Sequence, residues 1–349
     1  MAYTTINKST DYFNTKLYTG NGSTQSITGV GFQPDFCWFK NRTSAQSNVV
    51  VDSIRGRVGL QPNESNPQYT LNSGRDFGTF DSDGFTVLNP EQYNSFNYNT
   101  GSIVSWNWKA NGAGSANTDG SISSTVSANT TSGFSIVKWT GTGSNATIGH
   151  GLGVAMKTII FKRLDISDSW YVFNDSNGWN NRLHLDGDQA NAAAPNVLRG
   201  ITPTSSVFSV GSDGSVNASG GSYIAYCFAD VQGFSKFGKY IGNDSATDGP
   251  FIYTGFKPAF ILGKRTTNAG GWWMLDSKRP GINVTDEYLL ADSSQAEADD
   301  GSFATDFLSN GFKVRASNGN FNTNGDSYIY MAFAEAPLVG TNNVPANAR

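Results

Sequence analysis

The residues that could carry chemistry in this chain are few, and histidine is the scarcest of them. The chain has two histidines, His150 in a glycine-rich turn and His184 in an alternating, strand-like stretch. The turn around His150 fits neither a nucleotide-binding loop nor a dinucleotide fingerprint, because no helix follows to supply its N-terminus. No nucleophile-elbow motif supports a Ser-His-Asp triad. We therefore expect no catalytic residues and predict a protein that is not an enzyme.

An aspartate followed by serine recurs at corresponding positions of three similar stretches of the chain, at Asp52, Asp175 and Asp276, each at the end of an apolar run. Glycoside hydrolases need two carboxyl groups flanking the bond that they cleave. Residues that a fold uses three times are more often structural, and Asp or Ser at such places typically caps a turn. The acidic loop 297–301 lacks the alternating aspartates of a calcium site. We predict structural aspartates, with ligand contact as the alternative, and neither a metal nor a cofactor.

Tryptophans near two of these aspartates form the candidate ligand-binding site. Trp170 and Trp179 flank an Asn- and Asp-rich loop around Asp175, and Trp272 precedes Asp276. Strand alternation should turn one ring of each group inward and leave another beside amide and carboxylate groups. An amphipathic ring beside such groups is typical of carbohydrate recognition. We therefore predict weak glycan binding at these five residues.

The structural elements that must position these residues occur in three similar copies along the chain. Each copy opens on an aromatic residue and a glycine turn, and continues through an apolar strand that ends in lysine. It closes on an alternating strand, at 102–108, 222–228 and 327–333, with large residues on the face expected to pack on a core. Dense turn signals between short strands predict an all-β fold. We expect three tandem antiparallel β-sandwich modules, jelly-roll or concanavalin-like, of about 100 residues each.

The copies also predict the domain boundaries. Repeat 1 spans 1–110, repeat 2 spans 133–232, and repeat 3 spans 233–349 with a polar C-terminal tail. Residues 111–132 are almost wholly Gly, Ser, Ala, Asn and Thr, which predicts a semi-flexible linker. No such spacer separates repeats 2 and 3. We therefore expect those two to pack as one body, with repeat 1 set apart.

The composition narrows the class of partner. Only 15% of the 349 residues are charged, the net charge is −4, and there is no basic run. This balance argues against nucleic acid and anionic membranes as partners. No apolar stretch approaches the roughly 20 residues of a membrane span, and the N-terminus lacks the features of a signal peptide. We expect synthesis in a cytosol without membrane insertion.

Five segments resemble a family of virion structural proteins from marine tailed bacteriophages. They are 11–22, 31–36, 105–112 (SWNWKANG), 149–153 (GHGLG) and 330–335. The resemblance covers residues 12–336 and implies a tail-fibre or capsid decoration protein without catalytic residues. It also implies a virion location after synthesis in the host cytoplasm, and other virion proteins as partners. We further expect adhesion to host or environmental glycans and a homo-oligomer, with a trimer favoured.

Three alternatives stay open. A capsid decoration or cement protein would bind coat subunits and no glycan, and an extended apolar or aromatic patch unique to one repeat would favour it. A polysaccharide-degrading tail enzyme would need two acidic residues about 5–10 Å apart in a cleft. A free lectin-like bacterial protein is the third alternative, and the lack of a signal peptide argues against it.

Overall fold

The computed structural model describes residues 3–71, 74–90, 94–279, 281 and 283–340. It is an all-β structure of antiparallel sheets, as the alternating, turn-rich sequence predicts. Its α-helices are single turns, and among the described residues none is long and apolar enough to cross a membrane. Residues 341–349 of the predicted polar tail lie outside the described residues.

Repeat 1 forms a large sheet and a small sheet around its own apolar core. Its elements are β1 (Phe13–Thr19), β2 (Gln25–Thr28), β3 (Phe36–Asn41), β4 (Val49–Asp52), β5 (Val58–Gly59), β6 (Tyr69–Thr70), β7 (Phe77–Asp81), β8 (Gly84–Val87), α1 (Asn94–Asn97) and β9 (Ser102–Trp108). The large sheet has the order β1-β9-β3-β4, the small sheet β2-β8-β7, and β5 pairs with β6. A 3₁₀ turn at Ser9–Asp11 precedes β1.

Repeat 2 follows the same plan with a larger sheet. Its elements, including those of the segment before it, are β10 (Ser115–Asn117), β11 (Ser124–Asn129), β12 (Phe134–Thr140), β13 (Ala146–Gly149), β14 (Thr158–Arg163), β15 (Tyr171–Asn174), a 3₁₀ turn (Asp175–Asn177), β16 (Asn181–His184), β17 (Ala192–Ala193), β18 (Val207–Val210), α2 (Gly214–Asn217) and β19 (Ser222–Phe228). The order is β10-β11-β12-β19-β14-β15-β16-β17, and β13 pairs with β18.

Repeat 3 completes the pattern. Its elements are β20 (Ser235–Ile241), β21 (Phe251–Tyr253), β22 (Phe256–Arg265), β23 (Trp273–Asp276), β24 (Leu289–Leu290), β25 (Thr305–Leu308), β26 (Gly311–Val314), α3 (Gly319–Asn322) and β27 (Ser327–Pro337). The sheets have the orders β20-β27-β22-β23-β24 and β21-β26-β25. In all three repeats the closing strand therefore lies between the opening strand and the strand that carries the repeated lysine.

The closing strands are buried on both faces, because they separate two kinds of core. In β19, Ala225 and Cys227 pack into the core of repeat 2 itself. Tyr226 faces the opposite way, into a second core that it shares with Trp106 of repeat 1 and Met331 of repeat 3. The prediction that the large residues of these strands face a core is confirmed, and that core belongs to the whole molecule.

Aromatic contacts across the central core join every pair of repeats. The ring centroids of Phe36 and Tyr226 lie 4.2 Å apart, which joins repeats 1 and 2. Phe13 and Phe333 lie 5.1 Å apart between repeats 1 and 3, and Phe228 and Phe333 lie 5.9 Å apart between repeats 2 and 3. The expectation that repeat 1 stands apart is therefore wrong, since it contributes to the same core as the other two.

The linker predicted over 111–132 contains two strands and packs on repeat 2. β11 pairs antiparallel with β12 along its whole length. The apolar side chains of Ile122 and Val126 are buried, and Ile122 forms a β-bridge to Ile148 of β13. The prediction of a flexible linker from composition is wrong because Ser and Thr are also common in strands near a sheet edge. Two buried apolar residues are enough to anchor such a strand.

Candidate functional site

The tryptophans predicted to bind glycans do not lie at the surface. Trp170, Trp179 and Trp272 are 1%, 5% and 1% exposed, so none offers a ring face to a sugar. Of the five predicted residues, the structure brings Trp179 and Asp175 together, with Trp179 Nε1 donating to Asp175 Oδ1 at 3.0 Å. The prediction of a glycan site at these tryptophans is therefore wrong. Alternation predicted one exposed ring, but both strand faces are covered here.

Asp175 is the one member of this set that reaches solvent. Lys157 Nζ donates to its Oδ2 at 2.7 Å, and both side chains of this ion pair are more than a third exposed. Partial burial acts to raise the pKa of Asp175, but the hydrogen bonds from Lys157 and Trp179 lower the pKa overall. The carboxylate is thus held ionised and already has partners on both oxygens.

Trp170 and Trp272 connect neighbouring repeats through their indole nitrogens. Trp170 Nε1 donates to the carbonyl of Gln61 in repeat 1 at 2.9 Å, and Trp272 Nε1 donates to that of His184 in repeat 2 at 2.7 Å. The amide of Asn48 in repeat 1 donates to three backbone carbonyls of repeat 3 at 3.0 to 3.2 Å. The links run from repeat 2 to 1, from 1 to 3 and from 3 to 2, which closes a ring.

Asp276 is buried at the seam between repeats 3 and 1. Arg279 Nε donates to its Oδ2 at 2.7 Å, and Trp106 Nε1 of repeat 1 donates to the same oxygen at 3.1 Å. The equivalent Asp52 accepts a hydrogen bond from the Tyr226 hydroxyl of repeat 2 at 2.8 Å. Asp52 and Asp276 also accept from the backbone N–H of Arg55 and Arg279, which is the predicted turn capping, and the links that both make between repeats go beyond that prediction.

The lysines that end β3, β14 and β22 are buried near the same seams. Lys40 Nζ donates to the carbonyl of Ser293 in repeat 3 at 3.2 Å, and Lys264 Nζ to that of Asp188 in repeat 2 at 2.8 Å. Burial lowers the pKa of Lys40 to about 7, and those of Lys162 and Lys264 to about 8. Lys40 is thus poised to lose its charge near neutral pH, and Lys162 and Lys264 at a mildly alkaline pH.

His150 is enclosed within repeat 2. Its Nδ1 accepts from the backbone N–H of Leu152 at 3.2 Å, and its Nε2 lies 3.2 Å from the carbonyl of Thr204. Burial lowers its pKa, which favours the neutral ring. In the described part of the chain, no group of three or more His, Cys, Asp or Glu side chains is placed to hold a metal ion.

Repeat 3 exposes three large apolar side chains on its edge strands β20 and β21, and we call them the repeat 3 patch. Ile241, Phe251 and Tyr253 are 53%, 48% and 55% exposed. The strand registers place these residues at the same positions as Thr19, Ser26 and Thr28 in repeat 1, and Thr140, Thr147 and Gly149 in repeat 2. Sequence reasoning missed the patch because it followed what the repeats share. The signal in the sequence was that repeat 3 has large apolar residues at positions where the other two repeats have Thr, Ser or Gly.

An open cleft of about 490 Å³ adjoins the patch at Tyr253. It is also lined by Tyr3, Gln232, Asp230 and Lys236, of which the last two form an ion pair at 2.5 Å. The Tyr3 hydroxyl donates to a backbone carbonyl of repeat 3 at 2.7 Å, and burial together with Tyr253 raises its pKa to about 12. The cleft therefore combines two phenol rings with a carboxylate, an ammonium group and an amide.

The comparisons with known proteins point to one family. A family model described as a domain of unknown function (DUF7483) matches residues 8–337, which span all three repeats and the segment between the first two. A search of curated proteins finds no match.

Proposed function

Since this chain belongs to the DUF7483 family, whose role its description leaves open, we propose that it is a non-enzymatic structural protein of a phage virion. Repeat 3 attaches it to the head or tail of the particle. The observation that carries this proposal is the repeat 3 patch, where apolar side chains stand at positions that are Thr, Ser or Gly in the other repeats. Exposed apolar patches of this kind mark contact surfaces. The resemblance of five segments to virion proteins supports the location.

We further propose that each repeat is a β-sandwich module of the jelly-roll or concanavalin type. Each repeat has two sheets and an apolar core of its own, which supports this assignment. The central core unites the modules into a compact appendage, in contrast to the extended shaft of a long fibre.

Purified particles of the virus that encodes the chain test the attachment. We expect the chain in mass spectra of gradient-purified particles, and gold-labelled antibodies against repeats 1 and 2 on the head or the tail in electron micrographs. Absence of the chain from particles that carry their full set of other coat proteins would overturn the proposal.

Glycan adhesion is a second candidate function, favoured by the cleft beside the patch. The rings of Tyr3 and Tyr253 next to Asp230 and Gln232 match the chemistry of a weak sugar site, with an affinity of roughly 1 mM, or about −4 kcal/mol. Calorimetry with neutral oligosaccharides should detect such binding, and Tyr253→Thr should weaken it. Equal binding by the wild-type chain and Tyr253→Thr would exclude this cleft as the sugar site. Tyr98→Thr, at an exposed tyrosine of repeat 1, is the matched control.

Self-association is a separate part of the proposal. We propose a homotrimer, in which three attachment surfaces on one assembly would raise avidity by about 10²–10⁴. Light scattering should then give three times the chain mass of 37.4 kDa. A monomer mass at every concentration measured would contradict this part and leave the attachment through repeat 3 intact.

A further inference from the structure

In repeat 2, one extended segment covers the edges of both sheets at once. β11 pairs antiparallel with β12, with Thr125 opposite Lys138. A few residues earlier, Ile122 N donates to the carbonyl of Thr147 in β13 at 3.0 Å, and the Ile122 side chain is buried against the small sheet. The open side of the repeat is thereby closed by the protein's own chain.

Repeat 3 has no counterpart of that segment. β19 ends at Phe228 and β20 begins at Ser235, so only residues 229–234 lie between them. β20 is the outermost strand of its sheet in the described structure. The Asp230 carboxylate accepts from the N–H of Phe237 on the outer side of β20, at 2.9 Å. Alternation along an antiparallel strand directs the backbone groups of Lys239 and Ile241 to the same outer side.

Two residues of the repeat 3 patch, Phe251 and Tyr253, stand where the segment covers repeat 2. Phe251 corresponds to Thr147, whose carbonyl accepts from Ile122 N, whereas Ile241 corresponds to Thr140, which is exposed in repeat 2. Tyr253 takes the place of Gly149, where an added Cβ would lie 1.7 Å from an oxygen of Asn117 in β10. On the small sheet, two positions that the chain itself covers in repeat 2 therefore become apolar in repeat 3.

The N-terminal residues fill part of this space, which shows that the groove accepts side chains. A Cβ on Gly151 would lie 3.0 Å from Val126 of β11. At the equivalent Gly255 of repeat 3, the added Cβ would lie 2.6 Å from the Tyr3 hydroxyl. Tyr3 thus occupies the inner end of the groove, and the 3₁₀ turn Asp175–Asn177 of repeat 2 also lies close to β20.

We propose that this edge of repeat 3 binds an extended segment of a neighbouring virion subunit by β-strand addition to β20. The identity of the partner as a virion subunit rests on the proposed function. The mode of binding is inferred from the way residues 119–130 cover the equivalent edge of repeat 2. Backbone pairing supplies affinity in such complexes, and alternate side chains supply specificity. The segment that repeat 2 provides is uncharged from residue 120 to 130, rich in Ser and Thr, and carries apolar side chains at Ile122 and Val126. The exposed Lys239 on β20 opposes pairing between two copies of the same edge, which favours a different protein as the partner.

A peptide with the sequence of residues 119–130 is the probe. Fluorescence anisotropy should show saturable binding of the labelled peptide to the full chain, and hydrogen exchange should slow at the amides of Lys239 and Ile241. The triple variant Ile241→Thr, Phe251→Thr, Tyr253→Thr restores residues found in the other repeats, so it should fold. It should bind about tenfold more weakly or worse, because truncated aromatic anchors dominate such losses.

Matched controls assign the effect to this edge. A peptide carrying Ile122→Asp and Val126→Asp should not bind, and Ser26→Ala with Thr28→Ala at the repeat 1 edge should leave the affinity unchanged. Absence of peptide binding, equal affinity of the triple variant, or protection confined to repeat 1 would overturn the proposal. If neutral oligosaccharides slow hydrogen exchange at Tyr253 and the peptide does not, the ligand of this edge is a glycan, and the proposal of a subunit segment is overturned. Failure to find the chain on particles would overturn the proposed function alone, since peptide binding is measured on the isolated chain.

Discussion

At the residue scale, the seam between repeats 3 and 1 depends on a fully buried guanidinium group. Arg279 is paired with Asp276 at 2.7 Å and with Glu297 at 2.9 Å, and Trp106 adds a hydrogen bond to the same aspartate. Removing one partner of a buried ion pair leaves an uncompensated charge. We predict that Asp276→Ala lowers the free energy of unfolding by about 3 kcal/mol, measured by urea titration.

Asp175→Ala is the matched control for that prediction, since it removes the equivalent aspartate from repeat 2. Its ion pair with Lys157 is more than a third exposed, so solvent screens it. We expect a loss of no more than about 1 kcal/mol. Equal losses for the two variants would show that the buried seam is no more important than a surface pair.

The buried lysines predict an unusual dependence of stability on pH. Burial holds the pKa of Lys40 at about 7, and those of Lys162 and Lys264 at about 8, against about 10.4 in an unfolded chain. Between these values the unfolded state binds more protons than the folded state, so stability rises with pH. We predict a higher urea midpoint at pH 8.5 than at pH 7. At pH values above 8.5 the thiols of Cys37 and Cys227 lower the stability as pH rises, because burial raises their pKa above that of an unfolded thiol.

Substitution of one lysine identifies the source of this dependence. Lys40→Met should reduce the rise between pH 7 and 8.5, whereas Lys239→Met, at an exposed lysine, should leave it unchanged. A midpoint that falls over this range in the wild-type chain would contradict the account of the lysines.

At the element scale, the segment 111–132 acts as an edge cover for repeat 2. Ile122 is its inner anchor, buried and bridged to Ile148. We predict that Ile122→Ala costs about 2 kcal/mol, the lower end for a buried Ile, because the site lies at an edge. Hydrogen exchange should also become faster in β11. Val154→Ala, at an exposed residue of the same repeat, is the control and should change stability by less than about 0.5 kcal/mol. Unchanged stability and exchange in Ile122→Ala would show that the segment is a linker after all.

The strands themselves were largely predictable from the sequence, and this segment was not. Alternation of large and small residues predicts β9, β19 and β27, because one face of each is plainly apolar. In 111–132 two apolar side chains stand among Ser and Thr, too few to distinguish a covering strand from a flexible linker. The segment forms a strand because it pairs with β12, and this pairing between distinct segments cannot be read from the local sequence.

At the scale of the whole molecule, the central core makes the three repeats one cooperative body. Removal of residues 1–110 would expose the faces of Tyr226 and Phe333 that pack on aromatic rings of repeat 1. We predict that the remaining chain loses its cooperative unfolding transition and aggregates, as monitored by circular dichroism during urea titration. Deletion of the last described residues, 338–340, should leave the transition in place and is the control. A sharp transition in the shortened chain would show that repeats 2 and 3 fold by themselves.

The shared core explains why the candidate site could not be predicted. Sequence periodicity indicates that Trp170 and Trp272 could each lie on either face of a strand, but not that a neighbouring repeat covers the second face. The actual surface residues, Ile241, Phe251 and Tyr253, were visible in the sequence as departures from the repeat. Only the sheet topology shows that they lie on edge strands, Ile241 on β20 and the other two on β21.

The most direct test of the account uses two antibodies on intact virus particles. One is raised against the exposed loop around Val154 in repeat 2, and the other against β20 and β21 in repeat 3, with the purified chain confirming that both bind. If repeat 3 attaches the protein to the particle, gold label should appear with the first antibody and be absent with the second. Equal labelling by both would contradict attachment through repeat 3, and no labelling by either would contradict a place on the virion surface.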